Sequence, residues 1–201
     1  MSGNFRSRNP RRNPNEDSRR MNVFLTGFRG SGKSAVGREL AELAGLEFVD
    51  TDEEVELLSG KTVKEIFDCG GEKAFREIEK RVVLDTCSRE NLVVALGGGA
   101  LADAGTARAV KNAGIVVFLN APAEVLHRRI ESDGATAGRR PPLTRKGGFE
   151  ETRELLERRL PLYREVADAE VDAAAGPPRV IAERIESLLE GHCRKFSGKS
   201  T

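Results

Sequence analysis

The chain has no tryptophan, one tyrosine, two histidines and only three cysteines in 201 residues. Cys69, Cys87 and Cys193 show neither pairing logic nor metal-ligand spacing, and His127 and His192 have no ligand-spaced partners. A disulfide framework and a protein-held transition metal are therefore excluded, and the cysteines read as small apolar residues of a reducing compartment. No apolar run approaches the roughly 20 residues that span a bilayer. The N-terminus lacks the hydrophobic core of a secretory signal. A cytoplasmic protein with no membrane partner is the expectation. Charge of one sign is not in excess either: the formal net charge is +1, so no global field draws the chain to nucleic acid.

What is present is an ordinary share of hydrophobic residues, 38%, beside 32% charged ones, in a length that suits one substantial core. Residues 1–20 stand apart. Arg6, Arg8, Arg11, Arg12, Arg19 and Arg20 face only Glu16 and Asp17, with almost nothing apolar, so this extension is expected to be disordered. Met21, directly before the first apolar run, is an alternative start. The domain is expected over 21–190, with a flexible tail over 191–201, where Gly, Lys, Ser and Thr dominate.

Within the domain, short apolar runs alternate with amphipathic stretches. Strands are expected at Asn22–Thr26, Leu46–Val49, Leu92–Leu96, Ile115–Leu119 and Ala169–Val171. Helices are expected up to about Ala44, then near 52–58, 63–69, 72–88, 102–112, 122–131, 150–166 and 178–189. Residues 133–148, rich in Gly, Pro and Arg and without period, read as a mobile lid. Continuous apolar strands separated by helices predict an α/β fold, a parallel sheet covered on both faces. Ligands of such sheets bind at the carboxyl ends of the strands.

The chemistry-bearing residues follow those ends. Gly27-Phe-Arg-Gly-Ser-Gly-Lys-Ser34 fits G-x-x-x-x-G-K-[ST], with a strand before it and a helix after it. Its backbone N–H groups would wrap phosphate oxygens, Lys33 would reach the β- and γ-phosphates, and the Ser34 hydroxyl would ligate Mg²⁺. The loop makes Gly30, Ser31, Gly32, Lys33, Ser34 and Ala35 the candidate nucleotide contacts. No N-K-x-D sequence occurs, which disfavours a GTPase. Asp50 and Asp52 close the second strand, where one carboxylate could serve Mg²⁺ and the other an attacking hydroxyl. The plainer reading makes Asp52 a helix N-cap. In Gly71-Glu-Lys-Ala-Phe-Arg76-Glu-Ile-Glu79, Glu72 and Glu79 flank Arg76 at helical spacing; they either fix it for an anion or form ordinary exposed ion pairs. Gly97-Gly98-Gly99 lets something approach the backbone closely. Arg139-Arg140-Pro141 falls in the lid, where an arginine can neutralise a transferring phosphoryl group. Arg159 and Tyr163 lie one helical turn apart with Pro161 between them, which predicts a break in the helical ladder.

In this order the set resembles the shikimate kinase family from Asn22 to about Leu189: G-x-x-G-S-G-K-S, F-x-D-x-D, G-E-x-x-F-R-x-x-E, an apolar residue before G-G-G, R-P-x-L-T, and R-x-x-L-Y. The resemblance implies a three-layer P-loop kinase with strand order 2-3-1-4-5 and a flexible lid. It implies ATP-dependent phosphorylation of the shikimate 3-hydroxyl, on the route through chorismate to aromatic amino acids, with ATP and Mg²⁺ required. Carried over, Asp52 activates the shikimate hydroxyls, Arg76 and Arg159 clamp its carboxylate, and the Gly98 N–H contacts it. Ser34 ligates Mg²⁺ directly, Asp50 through water, and Arg140 covers the ATP phosphates. Arg129 aligns with a residue that stacks on adenine. A monomer is expected. Two departures stand out: Pro142 stiffens the lid base, and Ala173-Ala-Ala-Gly176 offers no side chain to the purine. The nearest competing expectation is another metabolite kinase of this fold, such as a gluconate or nucleotide kinase; a non-catalytic binding module is the competitor from another class.

Overall fold

The computed structural model describes residues 22–132 and 148–197. The 1–20 extension, Arg140 and all of the expected lid except Gly148 lie outside these residues.

Five strands form one sheet: β1 Asn22–Thr26, β2 Glu47–Asp50, β3 Leu92–Ala95, β4 Gly114–Asn120 and β5 Ala169–Asp172. Their order is β2-β3-β1-β4-β5 and every pairing is parallel. Strand β1 lies between β3 and β4, with Val23 opposite both Val93 and Ile115. All five of its residues are buried, as a strand covered on both faces requires. The Leu96 N–H still donates to Leu25 O at 3.0 Å, so the β1–β3 pairing runs one residue beyond β3.

Helices α1 Lys33–Ala44, α2 Thr51–Ser59, α3 Val63–Ser88, α4 Ala104–Ala113, α5 Ala123–Ser132, α6 Gly148–Val166 and α7 Pro178–Ser197 surround the sheet. Alternation along β1 divides the core. Val23 and Leu25 join Val36 and Leu40 of α1 and Ile181 and Ile185 of α7. Phe24 joins Val83 of α3, Val110 of α4 and Val166 of α6. Fully burying such side chains stabilises by about 1.5–3 kcal/mol each. A smaller cluster of Val55, Val63, Ile66, Phe75 and Val82 binds α2 to α3.

Helix α3 begins with a capping box: the Thr62 hydroxyl accepts from Glu65 N–H while the Glu65 carboxylate accepts from Thr62 N–H. It breaks at Gly71, whose φ of 69° and ψ of −173° suit glycine alone. The break separates the two helical stretches expected on either side of 70–71, and Arg76 stands little more than one turn past it.

Helix α6 spans the stretch expected at 150–166, with Pro161 inside it. One expectation needs correction. Helix α7 runs to Ser197, past the expected boundary at Leu189 and through Gly191, because one glycine costs a helix only about 1 kcal/mol.

Candidate active site

Two clefts open side by side at the carboxyl end of the sheet. The first belongs to the P-loop and is lined by Gly30, Gly32, Lys33, Ser34, Ala35, Asp50 and Arg129, among others. Gly32 caps α1 in the left-handed region, φ 86°, which brings the helix N-terminus onto the loop. The Lys33 ammonium donates to Gly27 O at 2.9 Å and Phe28 O at 3.0 Å, closing the loop on itself. The Ser34 hydroxyl donates to Asp50 Oδ2 at 2.5 Å. Arg129 donates to Gly30 O at 3.4 Å and Ala173 O at 2.9 Å, tying the loop to the segment after β5.

Asp50, not Asp52, caps the second helix. The N-cap of α2 is Asp50, whose Oδ1 accepts from Asp52 N–H at 3.0 Å. Asp52 is therefore not the cap, and its side chain lines both clefts.

The second cleft is lined by Asp52, Arg76, Glu79, Gly98, Gly99 and Arg159, with Phe67 and Phe75 as apolar wall. It gathers residues from the β2–α2 junction, α3, the loop after β3, and α6. Arg76 is held on two sides. Its Nη1 donates to Glu79 Oε2 at 2.5 Å, and its Nε and Nη2 donate to Glu72 Oε1 at 3.3 and 3.1 Å. The expected spacing is met, but the two partners differ: the Glu79 side chain is 4% exposed and that of Glu72 69%. An ordinary solvated ion pair does not describe the first. Burial pushes the Glu79 carboxyl above its usual range, against the opposing pull of Arg76. Burial also works against the Arg76 charge, but Glu79 and Glu72 outweigh it and hold Arg76 more firmly protonated.

The three glycines each admit a different group. A Cβ on Gly97 would collide with Glu79 Oε1 and lie 3.0 Å from Asp52 Oδ1. One on Gly98 would lie 3.4 Å from Arg159 Nη1 and 3.7 Å from the Tyr163 hydroxyl. One on Gly99 would lie 2.5 and 2.6 Å from the two Arg76 Nη atoms. The backbone here is a floor against which the acidic and basic groups lie directly. Gly98 O accepts from Tyr163 Oη at 2.6 Å and from Arg159 Nη1 at 3.2 Å. The Arg159 guanidinium also sits 5.7 Å from the Phe28 ring centroid.

Some contributors were not legible as site residues. Thr51, fully buried, donates to Ala95 O at 3.2 Å and accepts from Gly97 N–H at 2.9 Å, pinning the glycine floor to α2. Tyr163 was visible only as part of a motif, without its Gly98 partner. Arg29 and Phe28 occupy unspecified positions of the P-loop pattern, yet Arg29 lines both clefts. Arg140 lies outside the described residues.

A phosphate loop on a 2-3-1-4-5 parallel sheet, beside a separate cleft with paired arginines and an aspartate at the seam, defines a P-loop kinase acting on a small acidic molecule. The shikimate kinase family model matches residues 29–190, and the chain belongs to that family. It is similar to the shikimate kinase of Halorhodospira halophila, 41% identical over 84% of this chain and 93% of the relative. Among solved structures, a shikimate kinase from Acinetobacter baumannii in complex with shikimate superposes with a TM-score of 0.82 at 38% identity, covering 90% of this chain and 98% of the other. Shikimate kinase from Aquifex aeolicus gives 0.73 at 34% identity, covering 86% and 98%.

Proposed function

We propose that this chain transfers the γ-phosphoryl group of ATP to the 3-hydroxyl of shikimate, in aromatic amino acid biosynthesis. The observation that carries the reading is the acceptor cleft: two arginines and an aspartate converging on a glycine floor, directly beside the P-loop. Shikimate bears one carboxylate and three hydroxyls. Arg76 and Arg159 suit bidentate recognition of the carboxylate, and the Gly98 N–H adds a further donor. Asp52 accepts the proton of the attacking hydroxyl. The P-loop N–H groups of Gly30 to Ala35 and the Lys33 ammonium bind the phosphates, and Lys33 exchanges its loop carbonyls for them. Arg140 closes over the phosphates from the lid, and Arg129 faces the adenine.

Ser34 and Asp50 fit Mg²⁺. Both present oxygen, and their side chains already meet at 2.5 Å. Among the described residues there is no cluster of three or more potential ligands, which suits an ion held mainly by phosphates and water. When bound, Mg²⁺ would neutralise charge on the β- and γ-phosphates. Among the described residues no helix is long and apolar enough to cross a membrane; a cytoplasmic monomer is the accompanying proposal.

The test is ADP release measured with shikimate, gluconate and nucleoside monophosphates as acceptors. Turnover is expected with shikimate alone. Activity on gluconate without activity on shikimate would reassign the acceptor.

A further inference from the structure

Donor and acceptor clefts share three lining residues: Arg29, Asp52 and Val63. The phosphoryl group must cross where the clefts meet, so these three side chains flank its path. Val63 brings no charge and Asp52 serves the acceptor hydroxyl. Arg29 is the only cationic side chain among the described residues that lines both. Among the described residues, every other cation lining the clefts belongs to one side. Arg129 is on the donor side, holding Gly30 O and Ala173 O. Arg76 and Arg159 line the acceptor cleft alone, the first braced by Glu72 and Glu79, the second hydrogen-bonded to Gly98 O.

Resting on the kinase reading above, we propose that Arg29 is a catalytic residue: its guanidinium contacts the phosphoryl group in transit and neutralises the charge spread over its oxygens. In the step, the acceptor oxygen bonds to phosphorus while the bond from phosphorus to the β,γ-bridging oxygen breaks. The bridging oxygen keeps the electron pair and leaves on ADP, and the hydroxyl proton passes to the Asp52 carboxylate. Charge migrates through the seam during this exchange, and a fixed cation there acts on the transition state more than on either bound substrate. The Arg29 Nη1 is shut off from solvent, which strengthens its field. The position also explains why the residue escapes the motif: the P-loop pattern specifies glycines, lysine and serine, and leaves this site open. Arg29 lies on the P-loop itself and lines both clefts there.

The experiment compares wild type, Arg29→Met and Arg29→Lys by steady-state ADP release with shikimate varied and with ATP varied, and by calorimetric binding of shikimate. Arg29→Met is expected to lower kcat about 10²-fold, with both KM values and the shikimate affinity within about threefold of wild type. Arg29→Lys should recover part of kcat, because it restores charge without the planar fork. An unchanged kcat in Arg29→Met, or a loss confined to either KM, overturns the proposal by making Arg29 dispensable or merely a binding residue. Should Arg29→Met not fold, the Lys variant decides on the same readouts: a lowered kcat with unaltered KM supports the role, and wild-type kcat overturns it. If wild type itself fails to turn over shikimate, the kinase reading fails instead.

Discussion

The donor and acceptor clefts lie side by side, yet they are built on opposite principles. The donor cleft centres on one continuous stretch, Gly27–Ser34, that offers backbone N–H groups and a helix end, with Asp50 and Arg129 joining from elsewhere. The acceptor cleft is an assembly of side chains: Asp52 after β2, Arg76 and Glu79 on α3, Arg159 and Tyr163 on α6, all lying against Gly97–Gly99. A backbone site tolerates change in most of its side chains but not in its conformation. A side-chain site tolerates modest backbone change only where nothing lies against the backbone, and here everything does.

The sharpest way to break this comparison is at the seam. Asp52→Asn removes the proposed proton acceptor while keeping the shape, and kcat should fall about 10³-fold with ATP binding retained in a calorimetric titration. A wild-type rate would return Asp52 to a structural role.

Next is the glycine floor. Gly97→Ala inserts a methyl group into the Glu79 carboxylate and beside Asp52, so KM for shikimate should rise at least about tenfold as Glu79 and with it Arg76 are displaced. Gly60→Ala is the control. Gly60 has a φ of 65° but nothing within 4 Å, so the change should cost about 1 kcal/mol of stability from backbone strain and leave kinetics alone. Equal kinetic effects from the two would show that the floor is not special.

A smaller effect concerns the buried carboxylate beside Arg76. The folded-state pKa of Glu79 is raised by burial above its unfolded value. The folded protein thus binds that proton more tightly, and the stabilisation is full below about 4.5, the unfolded value, and lost as pH rises through the folded one. Tm measured from pH 4.5 to 7 should therefore decline less in Glu79→Gln than in wild type. Parallel profiles for the two proteins would contradict the assignment.

The smallest effect concerns the cysteines. Burial raises the Cys87 thiol to about 11, so iodoacetamide at neutral pH should label the exposed Cys69 and spare Cys87. Peptide mass spectrometry would reveal it; equal labelling would show that the packing around α3 opens readily.

The same contrast governs what could be read from the sequence. The P-loop was legible because its function is local: eight consecutive residues determine it. Strand order came only through the family resemblance, whereas the pairing of Arg76 with Glu72 and Glu79 was legible through helical spacing alone. Spacing could not tell that Glu79 is buried and Glu72 exposed, because burial depends on the sheet packed beneath α3. Asp50 and Asp52 were ambiguous for a related reason. Either can cap a helix, and only the backbone geometry at Asp50 assigns it the task. Thr51 and Tyr163 eluded role assignment because their partners are 46 and 65 residues away, and Arg29 because it belongs to a cleft rather than a motif.

The central claim is that Arg76 recognises the acceptor and does nothing for the donor. Calorimetric titration of wild type and Arg76→Lys, with shikimate in one series and an ATP analogue in the other, tests it most directly. Lysine keeps a charge beside buried Glu79 but loses the fork. The account predicts a loss of shikimate affinity of about 10- to 100-fold, the worth of a charge-assisted pair, with nucleotide affinity unchanged. Unaltered shikimate affinity, or an equal loss for both ligands, would contradict it.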